Sequence, residues 1–316
     1  MRALLAAMVC VLAVQGCSGG PMGFDDSSPV YLEDVEWTDD GLIYFIREQG
    51  FDGHPELWRK RADGAATKML AEVPRVCDVG RGYLEFVTTS SAGQPAVGVS
   101  CSDGRTTVYA FDATTKRVTP LVALEDARRV TIGPRPDDGY MLQGAHPCTR
   151  VMPFRAGALV ESDLSVQAAA GSWRLRDGYN GTPDCASAGD VGVPVWSRRG
   201  GFVAFLVSST PLTAGRKPGM SSDGYVWNVA VIRDQSSTVD LVGPAITDAN
   251  ALAVSPDATQ MAVGTEESIL LIDVRTGVSR PVPGEAGAYD LAFSPDGRQL
   301  LCTGTDKKSM RTIAVA

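Results

Sequence analysis

Apolar and polar positions near the C-terminus fall into a pattern that is written twice. LAVSPDATQMAVG and LAFSPDGRQLLCTG each set a short apolar run before Ser-Pro-Asp and a second apolar run after it, with Ser255 and Ser294 39 residues apart. Pro256 and Pro295 preset φ for a turn, Asp257 and Asp296 can hydrogen-bond nearby backbone, and Gly297 accepts a left-handed conformation. Each copy therefore predicts a strand (251–254, 290–293), a reversal, and a second strand (260–264, 299–303). In the first copy ILLIDV gives a third strand ending on the turn signal Arg-Thr-Gly, and SRPVP a fourth. A device repeated at fixed period points to architecture, since a catalytic motif is needed once.

Four antiparallel strands in about forty residues are the pattern of one β-propeller blade. Weaker copies lie upstream: DVEWTDDGLIYFI with Asp39 and Gly41 at the turn, CDVGRGYLEFVTT, VTIGPRPDDGYMLQG and PVWSRRGGFVAFLV. Their turn positions (Gly41, Gly82, Gly139, Gly200, then Ala258 and Gly297) predict an all-β, six-bladed β-propeller over 29–316. Seven blades result if SCSDGRTTVYAFD is itself a first hairpin. A ring of sheets must close or expose edges. The last copy ends at its third strand, MRTIAVA, so PVYLE (29–33) is expected to fill the fourth place and clasp the two ends of the chain.

Composition agrees with a turn-rich chain: 34 Gly and 19 Pro among 316 residues. A formal net charge of −8 argues against a nucleic-acid partner, which usually meets a basic surface. At the N-terminus, Arg2 precedes an apolar run from Ala3 to Val14, too short for a membrane span of about 20 residues but suited to an export signal. Val14-Gln15-Gly16-Cys17 follows and resembles a bacterial lipobox, although Gln15 stands where a small residue is usual. The division read here is a signal peptide (1–16), a flexible tether (17–28) and one propeller domain, with Cys17 as the lipidated residue. An ordinary secretory signal is the alternative. Export permits disulfides. Of the remaining cysteines, Cys77–Cys101 and Cys148–Cys185 are the sequence-local pairing, one of several that spacing allows, and Cys302 in the strand QLLCTG is left over as a small buried hydrophobe.

The W-S/T-x-D-G and S-P-D-G hairpins, each followed by an aliphatic strand and Asp-x-x-T/D-G, resemble the repeats of TolB-type propellers and are similar, less closely, to tryptophan–aspartate repeats. The resemblance covers 250–316 best, then 34–70 and 193–242. It implies a propeller scaffold at the bacterial envelope. TolB carries an extra α/β domain before its propeller that has no counterpart here, so the role of TolB is not implied. Abundant arginine, alanine and glycine point to a high-GC bacterium, and a Gram-positive cell surface is favoured over a periplasm.

Signals for chemistry are sparse. His54 and His146 each precede a proline in a loop, no zinc, iron or calcium spacing occurs, and no Gly-x-Ser-x-Gly elbow is present. No cofactor or metal is therefore expected. Paired carboxylates at a propeller mouth can hydrolyse sugars, and Asp34, Glu36, Glu85 and Asp290 lie near first strands; surface solubility is the plainer role for them. Long links between second and third strands occur in 47–56 and 208–224. They place Phe51, His54, Arg216, Lys217 and Met220 on one face, a candidate binding surface. The reading is a non-catalytic scaffold, membrane-held through its N-terminal lipid, for an envelope protein or extracellular ligand. Its alternatives are a glycosidase- or lyase-type enzyme at the channel mouth and an extracytoplasmic ligand sensor.

Overall fold

The computed structural model describes residues 29–50, 54–70, 82–89, 95–101, 103–125, 127–133, 139–143, 150–155, 158–159, 191–197, 199, 201–208, 226–233, 239–283 and 286–315. Strands make up the described secondary structure. The first sheet contains β1 (Val30–Trp37), β2 (Leu42–Gln49), β3 (Glu56–Arg61) and β4 (Thr67–Leu70). The second contains β5 (Tyr83–Thr89), β6 (Pro95–Ser100), β7 (Arg105–Asp112) and β8 (Arg117–Glu125). The third contains β9 (Ala127–Ile132), β10 (Gly139–Gln143), β11 (Arg150–Arg155) and β12 (Ala158–Leu159), and the fourth β13 (Val191–Trp196), β14 (Phe202–Ser208), β15 (Val226–Arg233) and β16 (Asp240–Thr247). The fifth contains β17 (Ala249–Val254), β18 (Gln260–Thr265), β19 (Ile269–Asp273) and β20 (Ser279–Pro281). The last has three strands, β21 (Asp290–Phe293), β22 (Gln299–Thr303) and β23 (Met310–Ala314). Every described pairing is antiparallel between neighbours in sequence.

First strands touch in a circle: β1 meets β5, β5 meets β9, and so on through β13, β17 and β21 back to β1. The fold is thus a β-propeller with the six first strands around its axis. Successive sheets stack through apolar clusters because each strand alternates side chains between its two faces. In the first sheet, Tyr44, Ile46, Leu57 and Met69 face the second sheet. Ile43 and Phe45, from the same strand β2, face the last.

The turns that carry the repeat fold alike. Ser255 Oγ donates to Asp257 Oδ1 (2.6 Å) and accepts from Gln260 N (2.9 Å), and Ser294 does the same with Asp296 and Gln299. The seryl hydrogen bond holds both aspartates below the usual carboxylate range. Gly41, Ala258 and Gly297 close these turns with φ of 78°, 62° and 71°. Only Ala258 carries a Cβ into that region, at a modest cost.

Four expectations need correction. Among the described residues five blades are complete at four strands and the last sheet has three, so the count of complete blades is five, not six or seven. The segment 29–33 does not complete the last sheet: Tyr31, Leu32 and Glu33 pair with Glu48, Arg47 and Ile46 of β2, because the long β2 offers its whole length to the strand beside it. In the second blade YLEFVTT is the first strand, not the second, and Ser100–Arg105 links the second strand to the third. Asp-Gly chemistry marks a reversal without saying which of the three reversals in a blade it is. In the first blade Asp40, not Asp39, takes the role of Asp257: Thr38 Oγ1 donates to Asp40 Oδ1 at 2.5 Å. Asp39 stands where the later copies have proline.

Candidate functional site

The first strands of most sheets are bulged near their start, with register shifts at Glu33/Glu36, Leu84/Phe86, Gly192/Val195 and Ala249/Ala251. A bulge bends its strand and re-aims a side chain. In β1 the bulged residue is Asp34, at φ 50°, a conformation Asp tolerates better than most residues. Its carboxylate meets Arg129 of β9, from the third blade, with Nη2–Oδ1 at 2.5 Å. The same Nη2 lies 3.9 Å from Asp290 Oδ2 of the last blade. Arg129 therefore reaches across the axis to both ends of the chain.

Asp290 is itself fastened. Its Oδ2 accepts from Val35 N (2.9 Å) and its Oδ1 from Leu291 N (2.9 Å). Nearby, Glu36 Oε2 accepts from Thr89 Oγ1 at 3.1 Å. At the same joint Lys307 Nζ donates to Glu33 Oε1 (2.7 Å) and sits 3.7 Å from the Tyr289 ring centroid, while Leu32 N donates to Lys307 O (2.7 Å). Acids outnumber cations here. Burial, reinforced by Asp290, Glu33 and Glu36, pushes Asp34 up to about 7 despite the guanidinium beside it. Burial also raises Asp290. Burial disfavours the charge on Arg129, but Asp34, Asp290 and Glu36 outweigh it, and the guanidinium stays charged. A proton on Asp34, which titrates near neutrality, offsets part of the surplus negative charge.

The channel beneath is lined by all six first strands, from Val35–Trp37 round to Asp290–Phe293, and holds about 70 Å³ of free space. That admits a few water molecules; pockets for small-molecule ligands run to about 300–1,000 Å³. Among the described residues no group of three or more His, Cys, Asp or Glu is placed to hold a metal ion.

The acids Asp34, Glu36 and Asp290 that the sequence places near first strands do converge, while Glu85 is exposed on β5. Arg129 is the residue that sequence reasoning missed. Its one signal is a charged residue in ARRVTI where the corresponding strands read ALAV, LAF and VPVW. Of the proposed binding face, His54 is exposed ahead of β3; Phe51, Arg216, Lys217 and Met220 lie outside the described residues. So do Cys17, Cys77, Cys148 and Cys185. Cys101 is buried, and Cys302 is a buried thiol whose Sγ donates to Arg311 O at 3.5 Å.

No protein-family profile matches the chain, and no curated protein sequence matches it. Solved structures do. The chain is similar to Kuenenia stuttgartiensis hydrazine synthase (12% identity, TM-score 0.57, covering 95% of this chain and 99% of that one). It is similar to TolB from Acinetobacter baumannii (14% identity, TM-score 0.50), over 82% of this chain and 55% of TolB, and so spans about half of that protein. It is also similar to an oligogalacturonate lyase in complex with manganese (10% identity, TM-score 0.51, covering 90% and 88%). The likeness is one of fold. At such identities a propeller is shared by proteins with unrelated activities, and function has to be argued from the site.

Proposed function

We propose that this protein is an exported propeller, held at the cell surface by lipid on Cys17, that acts as a scaffold for binding an envelope protein or extracellular ligand. The observation that carries the reading is the channel. It is spanned by the Arg129 bridge and has only about 70 Å³ free, which leaves the loop-bearing face as the broad recognition surface. Strands in a blade alternate in direction, so links between second and third strands emerge at the end where first strands begin. That end carries the close of β2 and the start of β3, the close of β14 at Ser208 and the start of β15 at Val226, and the Asp34–Arg129–Asp290 bridge. Rigid scaffold with variable loops is the usual arrangement for recognition.

The test uses photo-crosslinking in cells from positions within 209–222, with mass spectrometry of the captured species. Deleting 209–222 should leave the fold intact and abolish capture; unchanged capture rejects the loop face. In parallel, Cys17→Ala should stop incorporation of labelled fatty acid and release the chain from the membrane. A membrane-bound, unlabelled protein would reject the anchor.

A second reading rests on Asp34, a buried carboxyl raised to about 7 next to a second carboxylate, the pairing that supplies a proton donor at neutral pH. Turnover of a glycan or polyuronate by the purified protein, lost in Asp34→Asn, would replace the scaffold with a channel-mouth enzyme.

A further inference from the structure

The charged groups of the axial bridge come from three places in the ring, Asp34 from the first blade, Arg129 from the third and Asp290 from the last. Both carboxylates reach the same guanidinium nitrogen, at 2.5 and 3.9 Å. The other charges nearby add no second cation to the pair. On the strand of Asp34 itself, Glu33 is tied to Lys307 and Glu36 to Thr89. Arg47 of β2 lies over the Trp58 ring, Lys307 lies over the Tyr289 ring, and Glu85 of β5 is exposed. Among the described residues, Arg129 is the one cation that Asp34 and Asp290 share.

Thr303 stands directly across from Asp290, in β22. Paired residues of an antiparallel ladder carry their side chains on the same face, with Cβ atoms about 4.5–5.5 Å apart. That face meets the first blade: Leu301 packs there, while Leu300 and Cys302 turn to the fifth. Thr303 is fully buried, and among the described residues its Oγ1 has no hydrogen-bond partner. Leaving a buried hydroxyl unpaired is costly. Asp290 Oδ2 therefore has a choice of donors. Val35 N of the first blade is the one it holds, at 2.9 Å; the Thr303 hydroxyl of its own sheet is the other. The first ties the last sheet to the first. The second does not, and it draws the carboxylate away from the axis.

We propose that the joint between the last sheet and the first is a proton-operated seam, in which Asp290 holds Val35 N while Asp34 is protonated and changes to the Thr303 hydroxyl when Asp34 ionises. Two ionised carboxylates beside one guanidinium repel each other, and movement of Asp290 onto β22 separates them. β1 then loosens from its start to the bulge at Glu33/Glu36, where the strand already bends. The bond from Leu32 N to Lys307 O opens with it. Burial sets the titration of Asp34 at about 7, so the seam responds close to neutrality. Opening hydrates Asp34 and lowers its proton affinity. Rising pH therefore favours the open form up to about 7 and adds little beyond. The seam works whatever the loop face binds.

Amide hydrogen exchange of the full chain, followed by NMR and corrected for the intrinsic rise in rate with pH, tests this. Protection at Leu32 and Val35 should fall about tenfold or more between pH 5 and pH 8. Val274 and Val282, bonded within the fifth blade, should keep theirs. Asp34→Asn, tolerated at the positive φ of the bulge, should hold Leu32 and Val35 constant across that range. Thr303→Val deletes the hydroxyl that the open form uses, so at pH 8 it should raise protection at Val35 about threefold to tenfold. That variant tests the seam independently if Asp34→Asn folds poorly. A flat profile at Leu32 and Val35, an equal fall at Val274 and Val282, or a fall that persists in Asp34→Asn overturns the proposal. So does a Thr303→Val protein that exchanges at pH 8 as the unsubstituted chain does.

Discussion

Between the fifth and sixth sheets thirteen buried residues interlock, among them Leu271, Leu291, Phe293, Leu300 and Ile313. Between the sixth sheet and the first, six do, and the joint adds charged and polar ties: Arg129 to Asp34 and Asp290, Asp290 to Val35 N, and Lys307 to Glu33. The first joint joins neighbours in sequence; the second joins residues more than 250 positions apart. Apolar packing is non-directional and tolerates small slips, whereas a carboxylate accepting from one chosen backbone N–H fixes a register. The ends of this chain are thus held by fewer apolar contacts and by more directional ones.

Cutting one leucine on each side of the last sheet probes that contrast most strongly. Leu300, fully buried in the larger cluster, should cost about 3–4 kcal/mol on replacement by alanine. Leu301, one residue on and facing the first blade, should cost about 2 kcal/mol, because its cluster already has an open margin. Urea denaturation of both variants checks the order; equal losses would dissolve the distinction between the joints.

Next in size is Arg129→Leu, which leaves Asp34 and Asp290 buried without their cation. Breaking a buried pair costs about 3–5 kcal/mol, and partial exposure of Arg129 (32% of its side chain) reduces this to about 2 kcal/mol. The loss should be larger at pH 8 than at pH 5, where a protonated Asp34 no longer needs a partner. A pH-independent loss would mean that Arg129 contributes packing alone.

The smallest effect is a slope. Asp34, at about 7 against an ordinary value of 3.8, holds a proton in the folded protein over a range in which the unfolded chain has released it. Its contribution to stability is therefore greatest below about pH 4 and declines as pH rises toward 7, by at most about 1.4 kcal/mol per pH unit. Asp34→Asn should remove that decline from a series of denaturation curves. Parallel profiles for the two proteins would show that the proton resides elsewhere.

Legibility along the chain tracks how local the physics is. Ser255, Asp257, Ser294 and Asp296 bond within five residues of themselves, so their turns could be read directly, and the strands flanking them came out with bounds close to those observed. The second blade was misread by one strand, because Cys101–Arg105 carries the same turn chemistry at a different reversal. The acids of the channel were visible as acids near first strands, but nothing nearby in the sequence assigns Arg129 to them.

The order of short amphipathic strands and turns was settled by the sequence alone, since alternation and Asp-Gly, Pro-Asp and Ser-x-Asp chemistry act over a handful of residues. Which sheets meet, how the first and last sheets come together, and which arginine crosses the axis were decided only in three dimensions. Those features depend on contacts between residues far apart in the chain, where many pairings satisfy the local pattern and packing selects one.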